Sequence, residues 1–270
     1  MSLLRFPEPY DFHLSTERFR VFGRDLANLW HDGALYRVVG GREVRIVAAP
    51  GGVDADPLDD ETRPVVEMLL GRQFELDPFY AWAAGDPVLG PATKRFAGLR
   101  PPLAPDPFES LVTSITAQQV SLHAAFAIRT RFIERYGEPG GHAYSFPERS
   151  RVASATEEEL VAVGFSWRKA EYVIGLARAE LDLDALAALD DDEVRVRLTS
   201  VRGLGAWTAE WFLARHLARP TAWPVGDLAL RKATMLLYGV DVHELGPRLH
   251  PFQNLSAHYL LAAARPGAAG

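Results

Sequence analysis

An aspartate that follows a glycine and opens a helix can do chemistry, and Trp223-Pro-Val-Gly-Asp227-Leu-Ala-Leu-Arg-Lys232 has that form. Its plainest role is an N-cap, accepting from backbone N–H groups of the first turn. The same place also suits an anion, because the positive end of the helix dipole favours an ionised carboxylate. The two roles are compatible, and residue types alone leave both open. Upstream, Leu198-Thr-Ser-Val-Arg-Gly-Leu-Gly-Ala-Trp-Thr-Ala-Glu210 reads as a helix end, a tight turn at Gly203-Leu204-Gly205 and a new helix. Glycines at that spacing permit positive φ and close approach of another group. N–H groups at the new helix's N-terminus, with the dipole behind them, make a phosphate site. Arg202 adds charge and Thr208 can donate a hydroxyl. A glycine C-cap between two helices explains the same pattern without any ligand. Trp207 and Trp211, four apart, share one helix face, and core packing is their plain reading.

Composition narrows the chemistry. The 270 residues include no cysteine, which removes disulfides, thiolate metal sites, iron–sulfur clusters and cysteine nucleophiles. No HExxH, Walker A or strand-borne GxGxxG sequence is present. The eight histidines show no metal-ligand pairing. No apolar run approaches the ~20 residues that span a bilayer. MSLLRFPEPYDF lacks a signal-peptide core, so a cytoplasmic location is expected. The net charge of -6 argues against nucleic acid, but its distribution does not. Residues 91–151 and 195–232 carry +3 and +5, whereas 1–90 and 152–194 carry -6 and -8. A polyanion senses the field within a Debye length, roughly 10 Å, and not the chain total. The two basic stretches could form one face, with the acidic 152–194 segment expected on the other side.

Several elements must position these residues. Ala34–Val39 and Arg42–Ala48 are β-rich runs around Gly40-Gly41, a hairpin signal. Pro64 suits the first turn of a following helix. Pro-rich stretches to Pro107 read as loops. Phe108, Leu111, Val112, Ile115 and Val120 read as one buried helical stripe. Thr156 with Glu159 is a capping box, and Leu181–Leu189 is amphipathic. Asp190–Val201, Ala206–Leu217 and Leu228–Tyr238 complete a helical region. The expected class is α+β, with a small antiparallel-sheet N-terminal domain (1–88) and an all-helical region (89–270).

The hairpin followed some twenty residues later by Pro-x-Gly-Asp resembles the helix-hairpin-helix DNA glycosylase superfamily. Pro9-Tyr10-Asp11-Phe12, Asp106-Pro-Phe-Glu-Ser-Leu-Val-Thr-Ser-Ile-Thr-Ala-Gln-Gln-Val-Ser121 and Gly164-Phe-Ser-Trp-Arg-Lys-Ala170 resemble the bacterial 3-methyladenine DNA glycosylase II family within it. The matches extend from residue 9 to about 260. The resemblance implies a monofunctional enzyme that flips alkylated, cationic bases out of double-stranded DNA and hydrolyses the N-glycosidic bond. Asp227 would face the positive charge that develops on the sugar. Relatives that also cut the backbone carry a lysine where this chain has Trp207, which cannot form a Schiff base.

Further roles follow from the same resemblance. Trp207, Trp211 and Phe19 would line an aromatic pocket attractive to cationic rings. The loop at Gln118 and Gln119 would wedge into the duplex, with Gln119 at the wedge position. Arg202, Gly203, Gly205 and Thr208 would meet phosphate. No cofactor is required, although carbonyls of Thr199, Val201 and Leu204 could hold a structural monovalent cation. The partner is duplex DNA, with neither a membrane nor an obligate protein partner. Departures from the family pattern are Leu228 in place of an aromatic and His250-Pro-Phe-Gln-Asn254, where Gln253 replaces an arginine. The competing readings are a catalytically silent DNA-binding protein, a bifunctional glycosylase/lyase, and an enzyme unrelated to DNA.

Overall fold

The computed structural model describes residues 2–265. Five strands form one antiparallel sheet: β1 (Ser2–Arg5), β2 (Leu29–His31), β3 (Ala34–Val39), β4 (Arg42–Ala49) and β5 (Gly52–Asp56), in the order β1-β5-β4-β3-β2. The β3–β4 hairpin sets Val39 opposite Arg42, and Gly40 and Gly41 both hold positive φ (54° and 75°). Such a two-residue turn needs a left-handed conformation at both positions, which glycine adopts at least cost. Every residue of β3 is buried, which explains its run of apolar residues in place of alternation. Leu35 and Val39 pack with Val66 and Leu69, while Tyr36 and Val38 pack with Ala143.

Helices follow the sheet apart from two short ones, α1 (Phe12–Ser15) and α2 (Arg18–Val21), inserted between β1 and β2. The rest are α3 (Thr62–Leu69), α4 (Leu76–Ala83), α5 (Leu89–Arg95), α6 (Pro107–Ala117), α7 (Leu122–Tyr136), α8 (Arg149–Ala153), α9 (Glu157–Ala162), α10 (Trp167–Arg178), α11 (Asp191–Thr199), α12 (Ala206–Arg215), α13 (Leu228–Tyr238), α14 (Val242–Arg248) and α15 (Gln253–Ala263). Side-chain N-caps start many of them. Asp106, Ser121, Thr156, Ser166, Asp190 and Asp227 each accept the N–H three residues on, and Thr156 with Glu159 makes the full capping box.

Apolar packing changes partner between Leu70 and Phe74. Phe74, Leu76, Phe79, Leu89 and Leu103 share a cluster with Trp223, Leu230, Leu245 and Leu260 from the other end of the chain. A second cluster joins α6 to α12, and the sheet with α3 forms a third. Leu181–Leu189 is amphipathic as read, with Leu183 and Leu186 buried, and carries a 3-10 turn at Asp184–Ala188. One expectation needs correction. Val120 lies beyond the end of α6 and is 40% exposed, so the buried stripe stops at Ile115.

A buried charge network ties sheet to helices. Glu109 on α6 receives Arg37 of β3 (2.6 Å) and Arg129 of α7 (2.5 Å), and Arg129 also meets Asp25 (3.2 Å). No helix among the described residues is long and apolar enough to cross a membrane.

Candidate active site

Asp227 caps α13 as its sequence suggests. Its Oδ1 accepts the Leu230 N–H at 2.9 Å. Its Oδ2 accepts two indole N–H groups, from Trp207 and from Trp211, each at 3.0 Å. The i, i+4 spacing on α12 brings both indoles to one oxygen. Three N–H donors therefore fix the carboxylate in place. The loop before it is held as well: Glu210 accepts the Trp223 N–H (3.2 Å), and Trp223 donates its own indole N–H to Val242 (2.9 Å).

The carboxylate lines a cleft of about 1510 Å³. Phe19, Gln118, Gln119, Trp207, Trp211, Arg215 and His258 line it too, so residues spread over most of the chain converge there. Gln119 stands at the tip of the loop after α6, exposed, with φ +54°. A non-glycine residue in that region carries strain that its surroundings must sustain.

The surroundings include Gln118, whose role differs from expectation. It is no part of the tip. Its Nε2 donates to the Gly203 carbonyl at 2.9 Å and lies 3.5 Å from the Thr208 hydroxyl, tying the loop to the hairpin. Thr208 is 1% exposed, so its hydroxyl faces Gln118 and not a phosphate. Arg202 is exposed, but Nη1 pairs with Glu171 at 2.5 Å. The acidic 152–194 segment therefore does not lie wholly on another face: it reaches the hairpin through Glu171, and its end, Asp191 to Val194, forms the start of helix α11. Gly205 caps α12 with open space where a side chain would sit. Of the three carbonyls assigned to a cation, that of Val201 accepts the Leu204 N–H at 3.1 Å.

Trp211 also departs from expectation. It is 2% exposed and offers no free ring face. The Arg215 guanidinium lies 3.5 Å from its ring centroid, and His258 stands edge-on at 5.8 Å. Trp207, half-buried, and Phe19 remain as aromatic walls. Arg215 was legible in principle, since it sits four residues after Trp211 on the same helix. Arg18 and His258 come from α2 and α15, and no local spacing announces them. Among the described residues, no group of three or more His, Cys, Asp or Glu could hold a metal ion.

The hairpin glycines differ in a testable way. Gly203 holds φ +94°, and a Cβ there would overlap the Tyr172 ring. Gly203→Ala is expected to cost about 1–3 kcal/mol in thermal or chemical unfolding. Gly205→Ala, meeting nothing, should change stability by less than about 1 kcal/mol. Equal losses for the two would contradict this account of the turn.

The comparisons with known proteins come to the same region of the chain. Residues 112–245 match the family model described as HhH-GPD superfamily base excision DNA repair protein. A DNA-3-methyladenine glycosylase of Bacillus subtilis is 32% identical over 200 residues, covering 70% of this chain and 66% of that one. A second relative from that organism is covered over 48% of its length. The 3-methyladenine DNA-glycosylase structure from Archaeoglobus fulgidus superposes with a TM-score of 0.87 at 25% identity, covering 97% of this chain and 98% of that one. A DNA-3-methyladenine glycosidase structure from Bacillus halodurans is 31% identical, with a TM-score of 0.58 and coverage of 72% and 93%. The hairpin, the capped aspartate and the helices around them thus fall within one shared architecture, and the chain belongs to the HhH-GPD superfamily of base excision DNA repair proteins.

Proposed function

We propose that this protein is a DNA glycosylase that removes alkylated bases from double-stranded DNA and leaves an abasic site. The observation that carries this reading is Asp227: a carboxylate held by three N–H donors, in a cleft bounded by the hairpin and the Gln119 loop. Breaking the N-glycosidic bond sends both bonding electrons to the base and leaves an oxocarbenium-like sugar. A fixed anion beside C1′ lowers the energy of that state. The attacking water gives hydroxide to C1′ and its proton to the base or to Asp227. Gln119 would occupy the space of the flipped nucleotide and offset part of its unstacking, a cost of a few kcal/mol. The exposed N–H groups behind Gly205 would meet a phosphate. A monovalent cation at Thr199, Val201 and Leu204 would add charge there. Neutral carbonyl oxygens suit such an ion, and the Val201 oxygen keeps a second lone pair beside its bond to Leu204.

The reading includes no strand cleavage. Trp207 stands where a lyase would need its amine, and its N–H is committed to Asp227. The cleft's lysine, Lys232, lies on α13. A cytoplasmic location, with the DNA, belongs to the same proposal. The test is incubation with methylated duplex DNA. Free alkylpurines are expected, and the strand should stay intact until alkali opens the abasic sites. Binding should weaken steeply between 50 and 200 mM salt, as phosphate contacts release counterions. Absence of released base would refute the enzymatic reading, and strand cuts without alkali would refute its monofunctional part.

A further inference from the structure

The loop after α6 consists of Gln118, Gln119 and Val120, between the last residue of α6 and the Ser121 cap of α7. Gln119 holds a left-handed φ of +54° without being glycine. Neither Gln119 nor Val120 makes a backbone hydrogen bond to another described residue. Such a conformation persists only where the surroundings impose it. Two side-chain bonds anchor the loop. Gln118 Nε2 donates to the Gly203 carbonyl at 2.9 Å. Lys169, on α10, donates from Nζ to the Thr116 carbonyl at 2.8 Å. That oxygen belongs to the last turn of α6, where carbonyls lack a helical partner and the dipole favours a cation. Lys169 is half-buried, and the lost hydration lowers its pKa. An ammonium drawn in against that loss is a fixed part of the joint, unlike a solvated surface lysine.

The same helix holds the hairpin. Tyr172 lies three residues after Lys169, and its ring fills the space that a Cβ at Gly203 would need. Glu171 pairs with Arg202 at 2.5 Å. α10 therefore meets the end of α6 through Lys169 and the hairpin through Glu171 and Tyr172. Gln118 closes the triangle by joining the loop to the hairpin directly.

We propose that Lys169 and Gln118 are positioning residues for base eviction: they lock the Gln119 loop to the hairpin, so that a hairpin seated on the DNA backbone brings Gln119 to the stack already in the conformation that enters it. The proposal rests on the glycosylase reading and adds to it the coupling of phosphate contact to insertion. Its physical content is entropy. A loop ordered during folding has little conformational freedom left to lose as it enters the duplex. A loose loop must be ordered at that moment, on top of the unstacking of the target nucleotide. Lys169 is not among the residues that line the cleft, so its effect on the reaction runs through Gln119.

The test follows single-turnover release of 7-methylguanine from two duplexes. In one the lesion is paired with cytosine, and in the other it stands opposite an abasic analogue. Lys169→Met keeps an unbranched stem and removes the donor. It should slow release from the paired duplex by roughly 10-fold and from the unpaired one by less than about 3-fold, because eviction is least costly where pairing is already lost. Lys169→Arg, which still donates to the carbonyl, should stay near wild type. In a Gln119→Ala background Lys169→Met should have little further effect, since residues that act through one another are not additive. Gln118→Ala should give the same pattern and serves if Lys169→Met does not fold. An equal loss on the two duplexes overturns the proposal, as does full additivity with Gln119→Ala. A salt dependence of duplex binding whose slope falls by about one in Lys169→Met also overturns it, because the lysine then contacts a phosphate. Failure of the glycosylase reading is a separate result, in which wild type releases nothing from either duplex. Insertion is then read from the fluorescence of 2-aminopurine beside an abasic analogue. It should rise on binding of wild type and rise less with Lys169→Met, and an equal rise overturns the proposal.

Discussion

Asp227→Asn should lower base release by roughly 10³-fold while the folded variant still binds abasic duplex. The substitution keeps size and shape and removes the charge. Wild-type Oδ1 serves Leu230 and Oδ2 serves both indoles, so every neighbour is a donor. An asparagine has one acceptor oxygen for two donor sites. If that oxygen caps the helix, its NH2 group meets two indole N–H groups that it cannot satisfy. If it turns to the indoles, Leu230 N–H loses its cap. Either way a buried donor goes unpaired, at about 1–3 kcal/mol. A modest fall in melting temperature should therefore accompany the loss of activity. The two effects separate by experiment: the stability loss appears without DNA, and the rate loss persists well below the melting temperature. A folded Asp227→Asn that releases alkylpurines at near wild-type rate would show that the charge at this position does not drive the reaction.

What could be read from sequence was mostly local. The cap at Asp227, the Thr156 box and the turn at Gly203 each depend on residues within a few positions of one another, and the structure contains all three. The Gly40-Gly41 hairpin was equally plain, but β1, β2 and β5 were not. They are 4, 3 and 5 residues long, too short for a period of two to stand out. The helix face shared by Trp207 and Trp211 was legible, but not what lay opposite it. Periodicity says that two side chains point the same way, and leaves open whether a base, a carboxylate or an arginine meets them. Here Asp227 meets both indole nitrogens, and Arg215 covers the Trp211 ring. Gln118 shows the same limit. It neighbours the tip residue in sequence, yet its amide is bound to a carbonyl 85 positions away.

The Glu109 network was hidden for the same reason, and its removal should be the largest single blow to stability. Glu109 is 2% exposed and sits between Arg37 and Arg129, which come from strand β3 and helix α7. Glu109→Ala leaves Arg129 paired with Asp25 and leaves Arg37 buried without an ion-pair partner among the described residues. Breaking a buried pair in this way costs about 3–5 kcal/mol, a large share of the 5–15 kcal/mol typical of a folded domain. A fall in melting temperature on the order of 10 °C is expected. The pH dependence gives a second check. Burial alone would raise the Glu109 carboxyl, but the two guanidiniums outweigh it and hold the group at about 2, below its ordinary 4.5. A carboxyl whose folded value is depressed contributes stability above its unfolded value and loses it as pH falls toward the folded one. Wild type should therefore lose this contribution between about pH 4.5 and pH 2, and Glu109→Gln, with nothing to titrate, should not. Denaturation of both proteins at pH 7, 4 and 3 measures the difference. If the gap between them stays constant across that range, the carboxylate does not hold the sheet to the helices through its charge.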